Sequence, residues 1–327
     1  MDVYSKLIKD VVINVNQGYS FYFYSKNNII ERNNGVVKEE NSNKISFNTN
    51  FRLASVSKQF IAFSIIDLIL KGKLSFDTVV KDIYLDLPDY FHNITVKHLL
   101  NHTSGIYNYE AIPHKDDDPQ ILDKDILPFL KTTNNTYFEP GTTYKYSNTG
   151  YILLGLIVEE VSKQSITDYI EKNIFQKALM DESKVNIEGV TNINNRAYGH
   201  LLNDHNQLYV KDQYWCSATI GDGGLYSSVN DLKKWINYLI NTPHFKLVNI
   251  PNYINKDDYN EYGYGIRIVE IDGKKIYYHS GDTIGTNTLL LFSEDLEICL
   301  IFLTNLGNIN TTIMKDNLLE LIKTKAI

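Results

Sequence analysis

Residues 51–60 read Phe51-Arg52-Leu53-Ala54-Ser55-Val56-Ser57-Lys58-Gln59-Phe60 and lead into an apolar run that continues to Leu70. A helix built on this run would be apolar on nearly every side, which is typical of a buried helix. Lys71 and Gly72 follow the run, and a cation and a glycine suit the last turn and the left-handed cap of a helix. We therefore predict a buried central helix that ends near Leu70.

Ser55 and Lys58 stand three residues apart at the start of this predicted helix. Side chains at that spacing share a helical face. A serine hydroxyl is a good nucleophile only when a neighbouring group accepts its proton, and an amine in a partly desolvated cleft can help to do so. The unpaired N–H groups of a helix N-terminus would also stabilise a developing oxyanion. Because a Ser-x-x-Lys pair arises by chance about once in a chain of this composition, an exposed and inert pair is the alternative.

The composition is that of an ordinary globular protein. The chain has 327 residues, of which 43% are hydrophobic and 22% charged, and its formal net charge is -7. This charge, without a Lys/Arg cluster, argues against a nucleic-acid partner, and two cysteines make neither a disulfide framework nor a metal site.

No segment is apolar for long enough to span a bilayer, and the first residues lack the pattern of a signal peptide. We expect a cytoplasmic protein, or an exported one if the natural sequence begins upstream of Met1.

The order of predicted elements indicates an antiparallel sheet built from both ends of the chain. Stretches near each end are typical of strands, whereas the middle contains longer apolar helices. Residues 1–54 and 255–327 are expected to form a sheet subdomain and residues 55–254 a mostly helical one, with the catalytic cleft between them. The predicted elements are a helix at 2–15, strands at 18–25 and 29–32, helices at 60–70, 151–161 and 229–240, strands at 262–271, 274–279, 288–292 and 298–303, and a helix at 309–323.

Three other stretches have a structural and a functional interpretation. His98 and His102 lie four residues apart and could share a helical face as metal ligands, but neither a neighbouring Glu nor a third ligand is evident. A hydrogen-bonded structural role is therefore favoured for both histidines. The glycine-rich segment 221–224 lacks the spacing of a phosphate-binding loop and indicates tight backbone packing. Residues 107–125 have the composition of a solvated loop.

Two further motifs follow Ser55-x-x-Lys58 in the chain, namely Tyr146-Ser147-Asn148 and His279-Ser280-Gly281. Tyr146 lies just before the helix predicted at 151–161, for which Asn148 or Thr149 is a candidate N-cap. A loop supported by a buried helix is a place where functional side chains are commonly held. The order and the context of the three motifs together carry more weight than any one of them alone.

With these motifs in this order, the chain resembles the penicillin-recognising serine hydrolases. It is similar in particular to the class C β-lactamase and low-molecular-weight D,D-peptidase branch of penicillin-binding proteins, with its esterase and D-aminopeptidase relatives. The resemblance extends from about Gly18 to Leu303 and includes the stretches 98–105, 140–156 and 223–235. It implies a β-lactamase/transpeptidase-like α/β (α+β) fold, with an antiparallel sheet flanked by helices and a mostly helical subdomain. The chain departs from the class A pattern, because Tyr-Ser-Asn stands where that pattern has Ser-Asp-Asn.

The resemblance also implies roles for the first two motifs. Ser55 would be the nucleophile that becomes acylated, and Lys58 would lower the barrier to its deprotonation. Tyr146 would accept and donate protons, provided that nearby cations favour its phenolate. Which of Lys58 and Tyr146 takes the first proton is left open. Asn148 would hydrogen-bond the acyl-side amide of the substrate.

The third motif would form the strand edge that flanks the substrate, through His279, Ser280 and Gly281. The backbone N–H of Asp282 would complete an oxyanion hole with the N–H of Ser55. Many family members have Lys at the position of His279, where its fixed charge helps to hold a substrate carboxylate. Histidine is only partly charged near neutral pH, so a dedicated β-lactamase is less expected. The alternative for His279 is a strand-end histidine that packs and donates one hydrogen bond.

The resemblance therefore predicts a serine hydrolase of peptidase or esterase type that acts on small amide or ester substrates through an acyl-enzyme. A true β-lactamase or D,D-carboxypeptidase is the first alternative, and a non-catalytic ligand-binding homologue is the second. The expected partner is a small molecule, whether a peptide, an ester or a β-lactam. No metal or organic cofactor is implied, and the oligomeric state is left open.

Overall fold

The structure, a computed structural model, describes residues 2–26, 28–39, 43–115, 118–248, 253–255 and 260–327. No helix within these ranges is long and apolar enough to cross a membrane. The helices are α1 (Val3–Ile8), α2 (Lys58–Leu70), α3 (Val80–Ile83), α4 (Val96–Leu100), α5 (Ile126–Lys131), α6 (Asn148–Ser162), α7 (Ile166–Ile170), α8 (Gln176–Ala178), α9 (Val229–Ile240), α10 (Pro243–Val248) and α11 (Thr312–Lys323). The strands are β1 (Tyr19–Ser25), β2 (Asn28–Asn34), β3 (Phe51–Arg52), β4 (Lys184–Val185), β5 (His200–Leu202), β6 (Leu208–Val210), β7 (Leu225–Ser227), β8 (Tyr253–Asn255), β9 (Asn260–Tyr262), β10 (Arg267–Ile271), β11 (Lys274–Thr283), β12 (Thr286–Ser293) and β13 (Ile298–Thr304).

Strands from both ends of the chain form one antiparallel sheet, which has eight strands within the described ranges. Their order is β2-β1-β13-β12-β11-β10-β9-β8, so the first hairpin pairs directly with the last strand. The pairing of β1 with β13 runs from Tyr19 opposite Thr304 to Ser25 opposite Ile298. The long central part of the chain supplies the helices that cover the sheet, with α1 and α11 packed together at the chain ends. This arrangement confirms the predicted fold class.

Two predicted elements are shorter than their sequence patterns suggest. The first helix stops at Ile8 and not at residue 15, because Asp10 adopts a left-handed backbone with φ 66°. The strand predicted at 262–271 is instead β9 and β10, which are separated by a turn in which Gly265 has φ 76°. A Cβ on Gly265 would lie 2.6 Å from the carbonyl oxygen of Lys58. The turn therefore packs against the start of α2. A long-range contact of this kind cannot be predicted from the alternation of apolar and polar residues along the strand.

Helix α2 is enclosed by other elements on all sides, as its composition predicts. The side chains of Phe60, Ile61 and Ile66 are fully buried, and the ring of Phe60 stacks on Trp235 of α9 with 4.4 Å between the ring centroids. Each such buried side chain stabilises the fold by about 2 kcal/mol. The helix ends at Leu70, and Gly72 adopts φ 67°, as the predicted cap requires. The start of α2 is therefore held in a rigid setting.

Strand β11 lies directly against the turn that carries Ser55. This turn is the 3₁₀ helix Ala54–Ser57, which immediately precedes α2. The hydroxyl of Thr288 on β12 donates to the carbonyl oxygen of Leu53 at 2.9 Å. A Cβ on Gly281 would lie only 2.2 Å from that same carbonyl oxygen, so the strand makes this approach only where a side chain is absent. The sheet thereby fixes the position of the turn.

This contact predicts that Gly281→Ala destabilises the protein by about 2 kcal/mol or more, because the new methyl group forces the strand away from the turn. Gly273→Ala is the matched control on the same hairpin. A Cβ at Gly273 would contact no other atom, so the only cost is that of placing alanine at a φ of 79°. We expect the control to cost about 1 kcal/mol. Urea denaturation of the two variants measures the difference, and equal midpoints would show that β11 does not press on the turn.

Candidate active site

Ser55 and Lys58 form the centre of the site. Ser55 lies in the 3₁₀ turn, and Lys58 is the first residue of α2, so Ser55 precedes the α-helix and does not belong to its first turn as predicted. The Lys58 ammonium nitrogen donates to Ser55 Oγ at 2.9 Å and to the backbone carbonyl of Asp222 at 2.7 Å. The Lys58 side chain has no solvent exposure. The structure therefore places a buried amine in direct hydrogen-bond contact with the serine hydroxyl.

The backbone around Ser55 is unusual for a non-glycine segment. Ala54 has φ 48°, in the left-handed region that L-residues with a Cβ rarely adopt. Such strained residues persist only where the surrounding structure imposes them, and they cluster at functional sites. Ser55 is also the second residue of the 3₁₀ turn. Its N–H consequently has no acceptor within the helical segment, as a donor to an oxyanion requires.

The pKa of Lys58 is lowered to about 8, mainly by burial, and the nearby positive charge of Arg267 acts in the same direction. The carboxylates of Asp222 and Glu110 oppose this shift because they favour the ammonium form. About a tenth of the Lys58 amine is therefore neutral at pH 7, and the neutral form is the one that can accept a proton. A general base is most effective when its pKa lies near the working pH.

Tyr146 lies in the extended segment before α6, as predicted. The N-cap of this helix is Ser147, whose hydroxyl accepts from the N–H of Gly150 at 3.1 Å, so the prediction of Asn148 or Thr149 as the cap is wrong. The Tyr146 hydroxyl oxygen is buried and makes no hydrogen bond of ordinary geometry within the described part of the chain. Burial raises the pKa of Tyr146 well above its usual value, an effect that the nearby Ser55 hydroxyl and Arg267 only partly offset. A phenolate at rest is therefore disfavoured.

Asn148 is the first residue of α6, with its side chain free of any capping role. Its Nδ2 donates to Glu110 Oε1 at 2.8 Å, which fixes the orientation of the amide. Its Oδ1 is buried and has no hydrogen-bond partner among the residues that the structure describes. Asn148 therefore carries a buried acceptor without a described partner, on a residue that lines the same cleft as Ser55.

His279 on β11 is a neutral imidazole. Its Nδ1 lies 2.7 Å from the carbonyl oxygen of Ser280, which can only accept, so Nδ1 carries the proton. The Nε2 atom then accepts from the hydroxyl of Tyr262 at 3.1 Å. Burial holds the pKa of His279 well below its usual value, and the positive charges of Arg267 and Lys58 act in the same direction. His279 therefore supplies no positive charge near neutral pH, and the partial charge expected from the sequence is absent.

An aromatic cluster surrounds Tyr146 on the side of His102. The imidazole of His102 is fully buried and packs on the rings of Tyr146 and Tyr262, with centroid distances of 4.3 Å and 4.5 Å. Its Nδ1 accepts from the N–H of Ser147, whereas Nδ1 of His98 accepts from the N–H of Thr95. The two histidines thus have separate structural partners. Within the described ranges, no group of three or more His, Cys, Asp or Glu side chains is placed to bind a metal ion.

Arg267 is a residue of the site that sequence reasoning missed. Its guanidinium lies over the rings of Tyr146 and Tyr262, 5.7 Å and 5.5 Å from their centroids. Its charge depresses the pKa values of Lys58 and His279. No local motif marks this arginine, because β10 brings it to the site only through sheet pairing.

A cleft of about 340 Å³ opens beside Ser55. Of the residues predicted from the sequence, Ser55, Asn148 and Asp282 lie on its wall. Lys58 lies behind Ser55, whereas Ser280 and Gly281 border a neighbouring depression together with Asp282. The other residues that line the cleft are Arg52, Ala54, Tyr109, Glu110, Tyr214, Cys216, Thr219, Asp222, Gly223, Thr283, Ile284 and Asn308.

Part of the segment predicted as a solvated loop instead supports this cleft. Tyr109 is buried and donates its hydroxyl proton to Asp222 Oδ2 at 2.9 Å. Asp123 accepts from the N–H groups of Ile220 and Gly221 at 2.7 Å and 2.9 Å, which holds the chain just before Asp222. Residues 116 and 117 of the segment lie outside the described residues. The glycine-rich segment is packed tightly, as predicted, but its functional group is the carbonyl of Asp222 that Lys58 binds.

Comparison with known proteins identifies the family. Residues 8–322 match the family model described as Beta-lactamase, so the chain belongs to the Beta-lactamase family. The chain is 30% identical over 290 residues to Penicillin-binding protein 4* of Bacillus subtilis, covering 83% of this chain and 64% of that protein. It is 25% identical over 307 residues to Protein flp of Staphylococcus aureus, covering 86% and 58% of the two chains. The chain thus spans about three fifths of the length of these curated relatives.

Solved structures show the same fold. A penicillin-binding protein from Bacillus halodurans superposes with a TM-score of 0.80 at 26% identity, covering 98% of this chain and 99% of that one. A D-amino acid amidase from Ochrobactrum anthropi SV3 superposes with a TM-score of 0.80 at 20% identity, covering both chains in full. At the latter identity the likeness shows the fold alone.

The shifted pKa of Lys58 predicts how Ser55 reactivity depends on pH. We expect the rate of Ser55 phosphonylation by a fluorophosphonate to rise with pH and to reach half its maximum near pH 8, because only the neutral amine accepts the hydroxyl proton. Between pH 6 and pH 7 the rate should change about tenfold. The phosphonylation rate is measured by following the intact mass of the protein over time. Lys58→Met is the control, and its rate should not rise through pH 8. A rate that is constant from pH 6 to pH 9 would contradict the assignment.

Proposed function

We propose that the protein is a serine hydrolase of peptidase or esterase type that cleaves small amide or ester substrates through an acyl-enzyme on Ser55. The observation that carries this proposal is the 2.9 Å hydrogen bond from the buried Lys58 amine to Ser55 Oγ. Such an amine, with a pKa of about 8, meets the need of a serine nucleophile for a nearby base. Membership of the Beta-lactamase family supports the same chemistry.

Acylation begins when the neutral Lys58 amine takes the Ser55 hydroxyl proton while Oγ forms a bond to the substrate carbonyl carbon. The carbonyl π electrons move to oxygen, and the N–H of Ser55 stabilises the resulting oxyanion, with the N–H of Asp282 as the second proposed donor. The bond from carbon to the leaving nitrogen or oxygen then breaks as the carbonyl re-forms. The leaving group takes a proton from the Tyr146 hydroxyl, and the Lys58 ammonium returns a proton to Tyr146.

Deacylation restores the enzyme. Water attacks the acyl carbon and gives a proton to the neutral Lys58 amine, and the bond from carbon to Ser55 Oγ breaks. Ser55 recovers its proton from Lys58, and the acid product leaves. In this scheme Lys58 takes the first proton, because its pKa lies near neutrality whereas burial disfavours the phenolate of Tyr146. Tyr146 acts as a neutral proton donor and relay.

The charges around the cleft favour this type of substrate over the alternatives. Penicillins and D-alanyl peptides carry a carboxylate, and a fixed cation is the usual means of holding one. His279 is neutral, and the cleft wall contains the carboxylates of Glu110, Asp222 and Asp282. These groups oppose an anionic ligand close to Ser55. A true β-lactamase or D,D-carboxypeptidase remains the alternative that the experiment below separates.

The test is the intact mass of the wild-type protein after incubation with benzylpenicillin, beside Ser55→Ala, with free drug assayed in the same tube. We expect either a slow one-drug adduct that Ser55→Ala lacks or no reaction with this anionic drug. A panel of short neutral esters, assayed in parallel, should be hydrolysed by the wild type and not by Ser55→Ala. Rapid loss of the drug without an adduct would establish a β-lactamase instead. Equal ester hydrolysis by both proteins, or by neither, would overturn the acyl-enzyme proposal.

A further inference from the structure

We propose that His102 is a positioning residue that holds Tyr146 where its hydroxyl can protonate the leaving group. It acts from both sides, because its carbonyl and its imidazole bind the N–H groups of the two residues that flank Tyr146. This inference rests on the proposed function, in which the Tyr146 hydroxyl gives its proton to the leaving nitrogen or oxygen and the Lys58 ammonium replaces that proton. His102 thus contributes to the rate of this transfer through Tyr146 alone.

The first observation is a pair of hydrogen bonds on either side of Tyr146. The N–H of Lys145 donates to the carbonyl oxygen of His102 at 2.9 Å, and the N–H of Ser147 donates to His102 Nδ1 at 3.1 Å. One residue therefore accepts from both chain neighbours of Tyr146. Because the backbone conformation decides which side-chain rotamers are allowed, these two bonds set the direction in which the Tyr146 side chain leaves the backbone.

The second observation concerns the ring of Tyr146. Its hydroxyl oxygen is buried and makes no hydrogen bond of ordinary geometry with the residues that the structure describes, so packing decides where the ring lies. The imidazole of His102 packs on this ring with 4.3 Å between the centroids, whereas the rings of Tyr262 and His279 lie farther away, at 6.3 Å and 6.2 Å. A displacement of about 1 Å can cost roughly a hundredfold in rate. The contact with His102 is therefore of a kind that catalysis can depend on.

The third observation is the strained state of His102 itself. Its φ is 61°, in the left-handed region that residues with a Cβ rarely adopt. Its imidazole is fully buried, and because Nδ1 accepts a hydrogen bond, Nε2 carries the proton. This Nε2–H finds no acceptor among the described residues. The strain and the unpaired N–H both cost free energy, a cost that the proposed hold on Tyr146 would explain.

The kinetic test compares two esters of one acid that differ in their need for a proton. The p-nitrophenolate of p-nitrophenyl butyrate leaves as the anion, whereas the ethoxide of ethyl butyrate must be protonated as it leaves. His102→Gly removes the imidazole without backbone strain, because glycine adopts a positive φ readily. We expect this variant to lower kcat/KM for ethyl butyrate at least about tenfold more than kcat/KM for p-nitrophenyl butyrate, as measured by pH-stat titration. A merely structural defect would lower both values by the same factor, and that result would overturn the inference.

Further variants separate the hydrogen bond from the bulk of the ring. His102→Asn places an acceptor where Nδ1 lies and should restore most of the ethyl butyrate rate, whereas His102→Gln places it one bond farther out and should not. Tyr146→Phe should show the selective loss in full, and adding His102→Gly to it should cause no further selective loss. His98→Ala is the matched control, because Nδ1 of His98 also accepts a backbone N–H, but that of Thr95, and its ester ratio should equal that of the wild type. Equal ratios in His102→Asn and His102→Gln would overturn the inference.

Hydrogen exchange tests the same contact without turnover and so separates this inference from the proposed function. The N–H of Ser147, followed by NMR, should exchange at least about tenfold faster in His102→Gly than in the wild type, and at the wild-type rate in His98→Ala. Equal protection in His102→Gly and the wild type would overturn the inference, whether or not Ser55 reacts. Ester hydrolysis that survives Ser55→Ala, together with lost protection of Ser147 in His102→Gly, would reject the acyl-enzyme proposal and leave the hold of His102 on the Tyr146 segment standing.

Discussion

The burial of the Lys58 amine is the constraint on which the rest of the site depends. A lysine whose pKa falls from 10.5 to about 8 on folding carries its charge at a cost of about 3 kcal/mol below pH 8, a cost that fades as the pH rises towards 10.5. The fold offsets this cost with the apolar packing of α2 and with two acceptors, Ser55 Oγ and the carbonyl of Asp222. A neutral side chain here would remove this cost, which is the cost that the proposed role of the amine as a base would explain.

The groups around this amine divide into two electrostatic regions. On the side of Tyr146, the imidazoles of His102 and His279 are held neutral, and Arg267 provides the positive charge. On the side of the cleft, three acidic residues, Glu110, Asp222 and Asp282, line the wall together with Arg52. Lys58 thus lies between a positive and a negative region. Desolvation and the positive charge lower its pKa, whereas the carboxylates of Asp222 and Glu110 raise it. A change of charge on either side therefore alters the base as well as the pocket.

The sequence was sufficient for those features that local pattern determines. The uniform apolar character of residues 60–70 predicted a buried helix, and the three motifs predicted which side chains the fold would collect. Contacts between distant segments were not predictable in the same way. The acceptor for Lys58 is a backbone carbonyl, which every residue has, so nothing in the side chain of Asp222 marks it. Likewise, Glu110 acquires its contact with Asn148 only because a segment that reads as a solvated loop folds onto the start of α6.

The contact between Lys58 and the Asp222 carbonyl joins residues that are 164 positions apart in the chain. Closing a loop of this length costs chain entropy that only tertiary packing offsets, so Lys58 gains its second acceptor only when the two segments pack together. Where that packing is absent, the amine is hydrated and protonated at neutral pH, beside a serine that is chemically ordinary. Under the proposed mechanism, reactivity of the serine therefore requires the native topology, and a chain that retains α2 without this packing would lack a competent nucleophile.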